Sequence, residues 1–356
     1  MTVVAIDGFD VYTGVVTNTG VQAKWPVNGI NGTVSGSMVT GRFGGQAVRL
    51  QLGTTSTGLA AYARTLPSGY SSLAIGVAYR CNNLTLVTTA TNIPIILQFV
   101  ESTTYHVHLT VSSDGKINAY RASSSIAGTL LGSSSAGVIL TNTWHYIEAE
   151  VVISDAAGRV TVYVDGVQVI NLTSQDTKNG GSGPISVINL CCNAQAVGNA
   201  PTHDFDDFYC VDAATKLGER KVETLYPTSD VAQGFSRSTG STNYTLVDEA
   251  TVNGDTDYVQ ASSLNTVDTY GFGDLSNSPT TIDAVQFACF AEKTDATARS
   301  IALQAISGAT TSDGSNFVLT ASYNKFERLM TTDPNTSSAW GASAVNALTG
   351  GPKVTV

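Results

Sequence analysis

The chain has 356 residues, of which 42% are hydrophobic and only 13% charged, with a formal net charge of −10. That composition supplies large cores but argues against coiled coils and charged-face helix bundles. With only 18 Lys and Arg, it also lacks the clustered cations a nucleic-acid binder needs to neutralise phosphates. At roughly 150 residues per domain the length suggests two domains. The 34 glycines, together with many Ser, Thr and Asn residues, suit strands and tight turns.

In chain order, Met1 to Asp10 places Asp7 and Asp10 where the apolar stretch of a secretory signal would lie, so no signal peptide is expected. Gly41-Arg42-Phe43-Gly44-Gly45 lacks the strand-then-helix context of a phosphate loop and reads as a turn. The longest apolar runs, such as Ile93 to Val100, are far shorter than the roughly 20 residues a membrane span requires. No membrane partner is expected. Period-two alternation then dominates. Tyr105 to Val111 and Lys116 to Arg121 flank Ser113-Asp114-Gly115 and form one hairpin. In the stretch from Trp144, residues 144, 146, 148 and 150 share one strand face, while Ile147, Ala149, Val151 and Ile153 share the other. A turn at Asp155 to Gly158 leads to Val160 to Val164. Asp165-Gly166 then leads to Val167 to Ile170, and an Asp-Gly pair between alternating apolar residues is a strong hairpin signal.

Strands continue at Ile185 to Cys192 and Phe205 to Asp212, and Leu217 to Val222 closes the first unit. The Ser/Thr/Gly-rich stretch 224–243 reads as a linker. A second apolar pattern follows from Tyr244, and its segment Ala284 to Phe290 resembles a strand buried on both faces. The expected organisation is a β-sandwich over 1–223, a linker over 224–243 and a smaller β-rich domain over 244–356. The cysteines (Cys81, Cys191, Cys192, Cys210 and Cys289) form no CxxC pair and read as buried free thiols.

Several stretches together resemble a group of tailed-bacteriophage virion proteins. They are Ile6-Asp7-Gly8-Phe9-Asp10-Val11-Tyr12 with Lys24-Trp25-Pro26, Trp144 to Glu148, Gly158 to Gly166, Phe205 to Tyr209 and Leu217 to Val222. In the second half, Tyr244 to Glu249, Asp257-Tyr258-Val259, Thr332 to Thr336 and Ala339-Trp340 are similar too, although Gly341 stands where the group usually has Thr. The resemblance implies an all-β chain, with a concanavalin A-like (laminin G-like) jelly-roll sandwich followed by a second, smaller β domain. It implies a structural component of the particle (tail, fibre, baseplate or capsid decoration), made in the host bacterial cytoplasm. Its partners would be other virion proteins and copies of itself, with a trimer expected. The alternative is a glycan-binding adhesin whose rim lies near Asp114, Asp165 and 193–203.

Glu148 and Glu150 lack the third acid of the Glu-x-Asp-x-Glu pattern of laminarinase-type enzymes, and they read as a solvent-facing pair. No nucleophile elbow, HExxH or phosphate loop is present. The expectation is therefore a protein that is not an enzyme. Asp204, Asp206 and Asp207, with His203 beside them, are the candidate calcium ligands. His106 and His108 share a strand face and would supply at most two zinc ligands, the simpler reading being polar-out alternation. Trp144 is expected in the core, with Trp25 and Trp340 left open.

Overall fold

Among the described residues up to Val211, alternating residues and short turns produce fourteen strands. They are β1 (Val3–Asp7), β2 (Val34–Thr40), β3 (Gln46–Leu52), β4 (Gly58–Tyr70), β5 (Ser72–Cys81), β6 (Ile95–Glu101) and β7 (Thr104–Val111). There follow β8 (Ile117–Ala122), β9 (Gly128–Ser133), β10 (His145–Val152), β11 (Gly158–Val164), β12 (Val167–Gln175), β13 (Ile185–Ala194) and β14 (Thr202–Val211). This is a computed structural model that describes residues 1–14, 20–27, 34–52, 58–84, 94–194 and 201–356.

Among the described residues, one sheet runs β12-β11-β10-β5-β14-β3-β2, with β1 also pairing β14. The other runs β4-β13-β6-β7-β8-β9. All pairings are antiparallel. The two form a jelly-roll sandwich. Its core joins Ile75, Val77, Tyr79, Ile147 and Phe205 of the first sheet to Leu97, Phe99, Val107 and Leu109 of the second, all fully buried. The expected hairpins are present. Asp165 and Gly166 both adopt positive φ (50° and 79°), the mirror-image turn that matches strand twist. Trp25 proves to be a core residue. Its ring meets Phe208 edge-on at 4.9 Å, and its indole N–H donates to Asp7 at 2.9 Å. The cysteines are free, and four of the five are buried.

The second unit has its own sheet, ordered β15 (Pro227–Gln233), β18 (Asp268–Phe272), β24 (Thr349–Val354), β20 (Ser300–Ser307) and β21 (Thr310–Asp313), with β22 (Phe317–Val318) on β20. Two ribbons pair β16 (Ser236–Arg237) with β17 (Val259–Gln260) and β19 (Val285–Ala291) with β23 (Asn324–Met330). A short helix, α1 (Ala342–Asn346), contributes Val345 to a cluster with Ala305, Met330, Leu348 and buried Trp340. Asn243 holds the buried Asp268 carboxylate through its side-chain N–H groups at 2.9 and 2.8 Å and accepts from Arg237 at 2.8 Å.

Two sequence expectations change here. The stretch 224–243 is not a free linker, because β15 lies within it and pairs with β18. Ala284 to Phe290 is not buried on both faces, because β19 belongs to a two-stranded ribbon and is half-buried along its length. The division between the units is also discontinuous. Met1–Phe9 and Lys24–Val222 build the first unit, whereas Asp10–Thr13 joins Glu223–Val356 in the second. Tyr12 is accordingly fully buried, with its hydroxyl 3.0 Å from Lys325 Nζ. No helix among the described residues is long and apolar enough to cross a membrane.

Candidate functional site

The outer face of the first sheet carries a ladder that spans three paired strands. Register places Asp204 of β14 opposite Arg49 of β3 on one side and Arg80 of β5 on the other. Arg49 Nε and Nη2 donate to the carboxylate at 2.6 and 2.9 Å, and Arg80 Nε and Nη2 donate to it at 2.9 and 2.7 Å. These are charge-assisted forks, the geometry that best fixes a guanidinium. Asp204 raises the Arg49 pKa above its ordinary value by hydrogen bonding and charge. The acid is 2% exposed, whereas the arginine side chains are 31% and 25% exposed, so the cations face outward and the anion lies beneath them.

Arg80 also lies over the Trp144 ring, 4.5 Å from guanidinium carbon to centroid, a cation–π contact. Trp144 is half-buried rather than in the core, because it precedes β10 at the sandwich end and packs on an arginine of the outer face. Its neighbour fixes the approach. His145 Nε2 accepts from the Leu140 amide at 3.0 Å, its Nδ1 donates to Asp165 at 2.7 Å, and Asp165 also accepts from the Tyr146 amide at 2.7 Å. The Asp114 turn joins the same end, since its carbonyl and that of Gly115 accept from Gly137 and Ile139, just before Leu140. Lys116 and Ser112 hold the Asp114 pKa down at about 2. Of the expected rim, Asp114 and Asp165 thus lie at this end, where Trp144 was not expected, while its segment 195–200 lies outside the described residues.

The three candidate calcium ligands do not converge. Asp204 is committed to the two arginines, Asp206 accepts from the Arg42 amide at 2.8 Å and the Asp207 amide at 2.8 Å, and Asp207 accepts from the Val222 amide at 2.7 Å. Asp207 sits at a bulge with φ 49°, which separates its side chain from the other two. Among the described residues no three His, Cys, Asp or Glu side chains are placed to hold a metal. His203 points inward, 3.2 Å from the Tyr79 hydroxyl, and burial pushes its pKa down to about 4.

The acids on β10 are covered, contrary to the expected solvent-facing pair. The segment after β14 crosses this half of the sheet. Tyr209 donates to Glu148 at 2.6 Å, Lys216 Nζ stands 3.1 Å from the same carboxylate, and Glu150 accepts from the Lys216 amide at 3.0 Å. Tyr209 hydroxyl also accepts from the Leu217 amide at 2.9 Å. Burial and the Glu148 charge push the Tyr209 phenol far above its ordinary range.

The second sheet carries a polar row of its own, Asn189, Gln98, His108 and Tyr120, in register across four strands. It too is covered. The β8–β9 connection places Ser125 and Ser124 carbonyls 2.7 Å from Gln98 Nε2 and 2.9 Å from His108 Nε2. Burial pushes His108 down to about 4. His106 meets Glu101 at 3.2 Å and accepts from the Asn179 amide at 3.2 Å. Hydrogen bonds from Ser182 and Gly183, and then from His106, hold the Glu101 carboxyl down at about 2. The polar-out reading of the two histidines fails for this reason: the face is outward in the sandwich but roofed by connections distant in sequence.

Arg49 and Arg80 were missed by sequence reasoning. The available signal was an arginine in each of two otherwise apolar strands, Ala47-Val48-Arg49-Leu50 and Ala78-Tyr79-Arg80-Cys81. Only the three-strand register brings them to one acid.

No protein-family model matches the chain, and no curated protein matches it significantly. Solved structures do. The cellulose induced protein Cip1 is 17% identical, with 56% of this chain and 95% of that one covered at a TM-score of 0.40. The alginate lyase Aly36B is 10% identical, covering 63% and 99% at 0.39. The carbohydrate recognition domain of Emp46p in its potassium-bound form is 10% identical, covering 59% and 99% at 0.37. These likenesses concern the fold, an all-β jelly roll, and no ligand is transferred from them. They do correct one expectation. Several of the matched structures are alginate lyases, and the expectation that this chain is not an enzyme does not stand.

Proposed function

We propose that the protein is a glycan-binding module that engages sugar at the Trp144 end of its first unit. The observation that carries this reading is the Arg49–Asp204–Arg80–Trp144 ladder. A half-exposed indole offers an apolar face for the C–H face of a pyranose, while adjacent guanidinium N–H groups can reach ring hydroxyls. Each part is held before ligand arrives, since two forks lock the arginines and the Asp165 turn fixes the chain beside Trp144. Such preorganisation lowers the entropy lost on binding. The test is a glycan array probed with the full chain and with Trp144→Ala. The expected result is a defined set of bound glycans for the wild type, lost in the variant. No bound glycan, or binding indifferent to Trp144, overturns the reading.

The sequence motifs shared with tailed-phage virion proteins support a second proposal, that this module works as part of a phage particle in contact with other virion proteins and with copies of itself. Mass spectrometry of purified particles tests it. Recovery at tens of copies per particle is expected of a structural component, and absence from the particles refutes that setting.

A further inference from the structure

We infer that the ladder selects an acidic sugar, one carrying a carboxylate or sulfate, over its neutral counterpart. The inference rests on the glycan-binding reading above and adds the ligand class. Two guanidiniums share one carboxylate, so the cluster carries one net positive charge on a chain whose formal net charge is −10. Each arginine spends Nε and Nη2 on Asp204, and neither Nη1 makes a hydrogen bond among the described residues. The surface offered to a ligand is therefore rich in donors. Guanidinium has no acceptor lone pair, and the only acceptor in the cluster, Asp204, is 2% exposed beneath it.

A neutral sugar hydroxyl gains most where it can both donate and accept. A carboxylate or sulfate oxygen only accepts, and pairs best with planar guanidinium edges. The nearby acid at the rim, Asp165, is engaged by His145 and by the Tyr146 amide. The indole beside Arg80 then receives the sugar ring, while its anionic group lies across the arginines.

The experiment uses the full chain on paired glycans that differ only in charge, such as polygalacturonate and its methyl ester. Arg49→Gln keeps the Arg80–Asp204 fork and so keeps the acid paired, while Arg49→Lys keeps the charge. The wild type is expected to bind the acidic member about tenfold or more tightly, an advantage that added salt reduces. Arg49→Gln should erase most of that advantage, weakening binding of the acidic member far more than binding of the ester, and Arg49→Lys should restore part of it. Equal binding of acid and ester by the wild type overturns the acidic selection while leaving a sugar-binding ladder intact. An unaltered advantage in Arg49→Gln assigns the selection elsewhere and overturns it as well. If no glycan of either kind binds, both this inference and the reading beneath it fall.

Discussion

Removing one oxygen at Tyr209 tests how the covered half of the first sheet is held. The Tyr209 hydroxyl donates to Glu148 at 2.6 Å and accepts from the Leu217 amide at 2.9 Å. Its ring stacks on Tyr146 at 6.5 Å and lies against Gly76, where a Cβ would fall 2.1 Å from a ring carbon. Tyr209→Phe keeps the ring and deletes both bonds. Glu148, fully buried, would keep only Lys216 at 3.1 Å. A hydrogen bond to a charged group contributes about 1.5–3 kcal/mol and a neutral one about 1, so the variant should lose roughly 2.5–4 kcal/mol. Hydrogen exchange read by mass spectrometry should show the amides of 215–218 losing protection, with the urea midpoint of the first unit lowered. Gly76→Ala should do similar damage by another route, forcing the ring off its stack at about 1–3 kcal/mol or more. A change below about 0.5 kcal/mol in Tyr209→Phe, with protection of 215–218 unaltered, would refute the idea that this contact pins the crossing segment.

Acid should destabilise the first unit through its buried histidines. His108 and His203 have folded pKa values near 4 against an ordinary 6.5, so their stabilising effect is complete above 6.5 and lost as pH falls towards 4. By linkage that is roughly 3 kcal/mol for each, and a melting temperature flat from pH 7 to 4.5 would contradict it. Glu101, held at about 2 against 4.5, adds a further loss from pH 4.5 towards 2, visible in the same titration. Trp144→Ala should leave the melting temperature within a few degrees of wild type, since Arg80 keeps Asp204. Asn243→Ala removes the side chain that holds Asp268 and Arg237 and should cost the second unit about 3 kcal/mol, read as a lowered unfolding midpoint with the first unit unchanged.

What was legible in the sequence was local. Alternation in 160–170 and the Asp165-Gly166 pair define a hairpin because both signals lie within a few residues of the contacts they create. The faces of Glu148 and His108 were legible too, but not their burial. Glu148 is covered by residues near 216 and His108 by the β8–β9 connection, and no alternation pattern reports what crosses over a strand. The same limit hid the ladder. Arg49, Arg80 and Asp204 are separated by up to 155 residues, and each alone is an ordinary polar residue on a strand. Asp204 was noticed for its acidic neighbours, yet the bulge at Asp207 turns those neighbours to other tasks.

The early excursion of residues 10–13 into the second unit has a consequence for synthesis. Tyr12 leaves the ribosome 313 residues ahead of its partner Lys325. The second unit therefore cannot close around Tyr12 until residue 325 has emerged. A gene fragment that starts after residue 223 would encode a body lacking the ring that Lys325 and Phe290 pack against. One stopped at residue 223 would lack both of that ring's partners, Lys325 and Phe290.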